Sequence, residues 1–82
     1  MSEVRELKTA EISEVTGAGV TVLDFWAPWC GYCVRMMPVF EEIAGEMADK
    51  VTFAKVNSDE ETDLARQYQI EVLPTFLIMK DG

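Results

Sequence analysis

One apolar run, Val20-Thr21-Val22-Leu23-Asp24-Phe25-Trp26-Ala27, passes through Pro28 and Trp29 directly into Cys30-Gly31-Tyr32-Cys33. The run is rich in β-branched and aromatic residues and almost continuous, as expected of a strand covered on both faces of a sheet. A helical pattern starts at once after the cysteines. The chain must therefore deliver a buried strand into a helix, with Cys30 at the helix mouth and Cys33 one turn inside. Backbone N–H groups there lack intrahelical partners, and the dipole adds partial positive charge. Both favour the thiolate, the reactive form of cysteine. Two cysteines three residues apart can also close a small ring, so the pair can alternate between dithiol and disulfide.

Two blander readings compete. A C-x-x-C is also half of a zinc or iron–sulfur site, which normally takes four protein ligands. With two cysteines and no histidine in 82 residues, a closed site would need a second chain or a borrowed thiol, so no metal is expected. A purely structural disulfide between such near neighbours would constrain little of the unfolded chain. The strand before, the helix after and the adjacent tryptophan favour redox chemistry.

A chain of 82 residues with 49% hydrophobic content suits one small domain, residues 1–82, near the size where a single core becomes marginal. A net charge of −8 and the lack of a basic stripe argue against a nucleic-acid partner. The charged start Met1-Ser2-Glu3-Val4-Arg5-Glu6 lacks the apolar stretch of a secretory signal. The run from Val20 to Cys30 is too short to span a bilayer. A cytoplasmic protein with no membrane association is expected, and in a reducing compartment a C-x-x-C is more often catalytic or metal-binding than structural.

Periodicity supplies the remaining elements. Val4 to Leu7 is a short strand candidate, and Thr9 is placed to cap a short helix with Glu11 in its first turn and Ile12 and Val15 on one face. Gly17-Ala18-Gly19 ends it. Met36, Phe40, Ile43 and Met47 recur at helical spacing, which predicts an amphipathic helix from about Cys33 to Ala48, kinked at Pro38. Methionines at that spacing read as core filling rather than as metal ligands. Val51 to Val56 is a strand with Val51, Phe53 and Lys55 on one face. Ser58 and Glu61 form a capping-box pattern ahead of a helix through Leu64, Ala65 and Tyr68, so Asp59-Glu60-Glu61 reads as a solvated helix start. Thr75 to Met79 is the last strand. This alternation argues for an α/β sandwich with helices on both faces of a central sheet.

Asp24 and Lys55 each interrupt a buried strand. The plain reading makes Asp24 a strand edge and lets Lys55 reach solvent along its stem. The functional reading is a partly buried acid whose pKa is raised by desolvation and moderated by the ammonium, able to exchange protons during thiol chemistry. Pro74 is either a strand boundary or a cis proline holding a loop beside the cysteines.

These residues together resemble the thioredoxin family over essentially the whole chain. Asp24-Phe25-Trp26-Ala27-Pro28-Trp29-Cys30-Gly31-x-Cys33 is similar to the family's active-site segment, Pro38 to its helix-kinking proline, and Ala54-Lys55-Val56-Asn57-x-Asp59 to its third strand with a buried lysine. Leu73-Pro74-Thr75 resembles its cis-proline loop, and Lys80-Asp81-Gly82 the turn after its fourth strand. The resemblance implies that Cys30 is the attacking thiolate, Cys33 the resolving thiol, Asp24 a proton shuttle and Lys55 its tuner. It also implies a docking surface at Trp29, Gly31, Tyr32, Leu73, Pro74 and Thr75, with Trp26 packed beneath. Tyr32 departs from the family's usual proline and is similar instead to the C-x-Y-C motif of glutaredoxins. Val34 stands in place of a usual lysine.

The expected fold is thus a thioredoxin-like three-layer α/β sandwich with a mixed central sheet. It is expected to be truncated at its C-terminus, since the family continues for a strand and a helix beyond the counterpart of Gly82. Thr75 to Met79 would then be an exposed sheet edge, with dimerisation through that edge, marginal stability or a rearranged end as outcomes. The leading function is reduction of disulfides in partner proteins, with a thioredoxin-type reductase resetting the pair and no bound cofactor. The alternatives are a non-catalytic binding module or folding fragment, and a glutathione-dependent, glutaredoxin-like redoxin.

Overall fold

The computed structural model describes residues 4–82. Four strands, β1 (Val4–Glu6), β2 (Val20–Trp26), β3 (Val51–Asn57) and β4 (Thr75–Lys80), form one sheet in the order β1-β3-β2-β4. β1 and β2 both run parallel to β3, and β4 is antiparallel to β2. The helices are α1 (Ile12–Thr16), entered through a 3-10 turn at Thr9–Glu11, α2 (Gly31–Met47) and α3 (Thr62–Gln67).

Strand alternation divides the interior into two layers. Leu23 and Phe25 of β2 and Ala54 and Val56 of β3 point to one face, where they pack with Leu7, Val15 of α1 and Leu64 of α3. Phe53 of β3 points to the other face and packs with Val4, Phe40 and Ala44 beneath α2, with Val22 at the margin. Phe40 meets Phe53 edge-on, their ring centroids 5.5 Å apart. Helices cover both faces of the mixed sheet, as the strand–helix alternation requires.

The strands and their order along the chain follow the periodicity, but several local expectations are corrected. α2 begins at Gly31 rather than near Cys33 and ends at Met47. Its buried residues are Cys33, Phe40 and Ala44, with Met37 half-buried beside them, whereas Ile43 and Met47 are 42% and 40% exposed. The reason is tertiary: α2 lies mainly over β1 and β3, so its flank toward β4 is left open among the described residues. There Met36, Val39 and Ile43 line an apolar groove of about 300 Å³ with Phe76 and Ile78 of β4.

Thr9 does not cap the first helical turn. That role falls to Glu11, whose carboxylate accepts the Lys8 N–H at 3.0 Å, while the Thr9 hydroxyl donates to Glu61 at 3.0 Å. The Ser58–Glu61 capping box is likewise not formed. Glu61 is the N-cap residue of α3 without a side-chain bond to it, because its carboxylate reaches across the fold to accept the Thr9 N–H at 2.8 Å. Those bonds from Thr9 hold the Glu61 carboxyl below its ordinary range. Gly19 enters β2 with φ of 73°, a conformation that favours glycine. It also exchanges two 2.8 Å bonds with Asp81, its N–H donating to Oδ1 and its carbonyl accepting the Asp81 N–H.

The two sides of α2 should differ sharply in their tolerance of truncation. Phe40→Ala is expected to cost about 3–5 kcal/mol in urea unfolding. Ile43→Ala, on the open flank, should cost under about 1 kcal/mol. Equal losses at the two positions would contradict this packing.

Candidate active site

The turn Ala27-Pro28-Trp29 carries the chain from the end of β2 to the start of α2, with the Cys30 N–H bonded to the Ala27 carbonyl at 3.1 Å. Cys30 is the N-cap residue of α2, in extended conformation, and its sulfur accepts the Cys33 N–H at 3.1 Å. A cysteine sulfur thus occupies the position usually filled by a capping oxygen, and a negative charge on it would be stabilised by that donor and the helix dipole. Cys30 and Cys33 are joined as a disulfide. Both are buried, Cys33 the more completely, in a cluster with Ala27, Trp26 and Leu73.

Asp24 is not a strand edge. β2 is paired on both sides, and the residue is 2% exposed. Among the described residues its Oδ1 atom has no hydrogen-bond partner. Burial pushes its carboxyl up to about 6, and the Lys55 ammonium partly opposes the rise. Lys55 is the register partner of Asp24 on β3 and lies half-buried. Its Nζ stands 5.4 Å from the Trp26 ring centroid, so the amine packs over the indole rather than simply reaching solvent. Asp24, Trp26 and Lys55 therefore share one face of the sheet below the disulfide cluster.

The surface residues fall on two flanks. Tyr32 is exposed with the Arg35 guanidinium 5.9 Å above its ring, and Gly31 lies beside the same guanidinium. Trp29 is exposed, and its Nε1 donates to Asp59 Oδ1 at 3.2 Å. The Leu73–Pro74 peptide is cis, the isomer that sequence left open. Leu73 packs against the cysteine cluster, and Thr75 begins β4 opposite Phe25. The Thr75 hydroxyl donates to the Val72 carbonyl.

Beside Trp29 opens a cleft of about 510 Å³, with Ala65, Ile70, Val72 and Leu73 as its apolar lining and Ser58, Asp59 and Glu71 as its polar one. Sequence reasoning missed all of these but Leu73 and Trp29, and took Asp59 for a solvated helix start. The available signal was slight: Asp59 lies in the segment following β3 that ends at the active-site side of the sheet.

The thioredoxin family model matches residues 4–82. The chain belongs to the thioredoxin family. It is 46% identical over 70 residues to a thioredoxin of Bacillus subtilis, a match covering 85% of this chain and 67% of that protein. It is 50% identical over 70 residues to thioredoxin 1 of Synechococcus elongatus, covering 84% and 65%. The solved thioredoxin of Malassezia sympodialis superimposes with a TM-score of 0.92 at 40% identity, covering 100% of this chain and 74% of that one. The chain thus spans about two thirds of the length of these curated relatives. Among the described residues no helix is long and apolar enough to cross a membrane.

The raised Asp24 carboxyl carries a definite stability signature. Its folded value of about 6 lies above the ordinary 3.8, so the folded protein binds the proton more tightly than the unfolded one. The carboxyl's contribution to stability is fully present below about pH 4 and is lost as pH rises through 6. Asp24→Asn is expected to remove this slope and to raise stability at pH 7.5 by up to about 3 kcal/mol. Urea midpoints at pH 4.5 and 7.5 measure both effects; a variant less stable at pH 7.5 would contradict the assignment.

Proposed function

We propose that this protein is a thiol–disulfide oxidoreductase that reduces disulfides in partner proteins through Cys30 and Cys33. The observation that carries the reading is the capping geometry: Cys30 Sγ sits at the mouth of α2 as acceptor for the Cys33 N–H. In the reduced protein the Cys30 thiolate attacks one sulfur of the substrate disulfide. The substrate bond breaks, one substrate sulfur leaves as thiolate and takes a proton, and a mixed disulfide with Cys30 forms. Cys33 then loses its proton and attacks Cys30, releasing the second substrate thiolate. Two electrons pass from the dithiol to the substrate, leaving Cys30–Cys33 oxidised.

In this reading Asp24 accepts the Cys33 proton during the second step. A carboxyl held near 6 is better matched to proton exchange near neutrality than an ordinary aspartate. Lys55 moderates that value. Trp29, Gly31, Tyr32, Leu73, Pro74 and Thr75 form the surface on which the substrate chain lies. Two further electrons from a thioredoxin-type reductase reset the pair, and the cytoplasm, a reducing compartment, is the matching location. Self-association through β4 is a further part of the proposal, because Ile78 is 77% exposed on a strand paired only through β2 among the described residues.

Insulin disulfide reduction, followed by precipitation of its B chain, tests the activity. Cys30→Ser should abolish it, and Cys33→Ser should accumulate mixed disulfides through Cys30 that gel shifts detect. Trapping by Cys30→Ser instead would reverse the assigned roles, and an inactive parent protein would favour a binding module. For the edge, sedimentation should show a concentration-dependent dimer that Ile78→Lys disperses; a monomer at every concentration refutes the self-association.

A further inference from the structure

We propose that the cleft beside Trp29 seats a cationic segment of the substrate, in which an apolar side chain and a lysine or arginine flank the target cysteine, and that Glu71 and Asp59 select it. The inference rests on the oxidoreductase reading and names the class of substrate that reading left open.

The cleft combines an apolar lining, in which Ile70 is half-buried and Val72 exposed, with two exposed carboxylates and no cation among its described lining residues. Four of the chain's seven cations are engaged elsewhere. Arg5 pairs with Glu11 at 2.9 Å, Lys8 lies 3.7 Å from Glu60 and 3.9 Å from Glu61, Lys55 packs over Trp26, and Arg35 packs over Tyr32. Asp59 accepts the Trp29 indole N–H, which holds the carboxylate at the rim without neutralising it. A net charge of −8 adds a background field of the same sign.

Position joins the cleft to the chemistry. Leu73 lines the cleft and also packs against the cluster that holds Cys30 and Cys33. Glu71 precedes it by two residues, about 7 Å at ~3.3–3.6 Å per extended residue. A substrate chain whose cysteine reaches Cys30 therefore brings its neighbouring two or three residues against Val72 and Glu71. An apolar side chain there gains burial, a cation gains two nearby carboxylates, and an anion meets like charge. Solvent-exposed pairs of this kind are individually weak, so a discrimination of about three- to tenfold between cationic and anionic segments is expected.

The full chain, kept reduced with dithiothreitol, can be given three disulfide-linked peptides that differ only in a Lys, Gln or Glu two residues from the cysteine. kcat/KM should fall in the order Lys, Gln, Glu, and the spread should collapse at about 0.5 M salt as screening shortens the Debye length. Glu71→Lys should reverse the order. Equal rates for the three peptides, or an order indifferent to Glu71→Lys, would overturn the proposal while leaving the oxidoreductase reading intact. Reduction of hydroxyethyl disulfide tests that reading separately. Should no disulfide be reduced, disulfide-free versions of the peptides decide the matter by amide shifts at Ile70 and Val72. Stronger shifts with the Lys peptide than with the Glu peptide support the cleft as a cation-selective seat, and equal or absent shifts refute it.

Discussion

The pairing of β2 on both of its edges is the constraint on which the rest of the molecule depends. Bonded in parallel to β3 and antiparallel to β4, this strand has its backbone groups satisfied within the sheet and both faces turned toward packed layers. Leu23 and Phe25 anchor the larger core, and Val22 contributes to the margin of the other. Its carboxyl end then has one way to go, out of the sheet and into α2. The reactive sulfur is therefore held by the most firmly embedded strand of the fold, with only the turn Ala27-Pro28-Trp29 between them.

That embedding has an electrostatic consequence. A carboxylate at Asp24 is surrounded by the packing that makes β2 central, so its raised pKa is a direct product of the sheet order β1-β3-β2-β4. Lys55 lies next to it because parallel register sets Asp24 opposite Lys55. The ammonium tempers the desolvation without cancelling it, and the acid is left near the range where proton exchange at neutral pH is easiest. Stability and proton chemistry pull in opposite directions at this residue, as is common where a site needs a perturbed group.

The two sides of the sheet are finished differently. Under α1 and α3 the core is closed by Leu7, Val15 and Leu64. Under α2 it is closed over β1 and β3, with Phe40 also meeting Phe76 of β4, and beyond them it opens into the apolar groove lined by Ile43 and Ile78.

The sequence by itself determined the parts that depend on neighbours along the chain. The apolar run into Cys30-Gly31-Tyr32-Cys33 defined a buried strand, a helix mouth and a redox pair, and the lone acid in that run marked Asp24 as a perturbed group. Periodicity also placed Phe40 inside, because one face of a helix must be buried wherever the helix sits. Which of its flanks would be covered was decided by the position of α2 over β1 and β3, and so Ala44 is buried and Met37 half-buried while Ile43 and Met47 are exposed. Tertiary structure alone brought Glu61 to Thr9 in place of Ser58, because a hydrogen bond across 52 residues competes with a local cap and leaves no trace in spacing. It also chose the cis form of the Leu73–Pro74 bond and assembled the cleft from Trp29, Asp59 and Glu71. Such features rest on contacts between segments far apart in the chain, and a linear pattern records only the preferences of residues close enough to share one element.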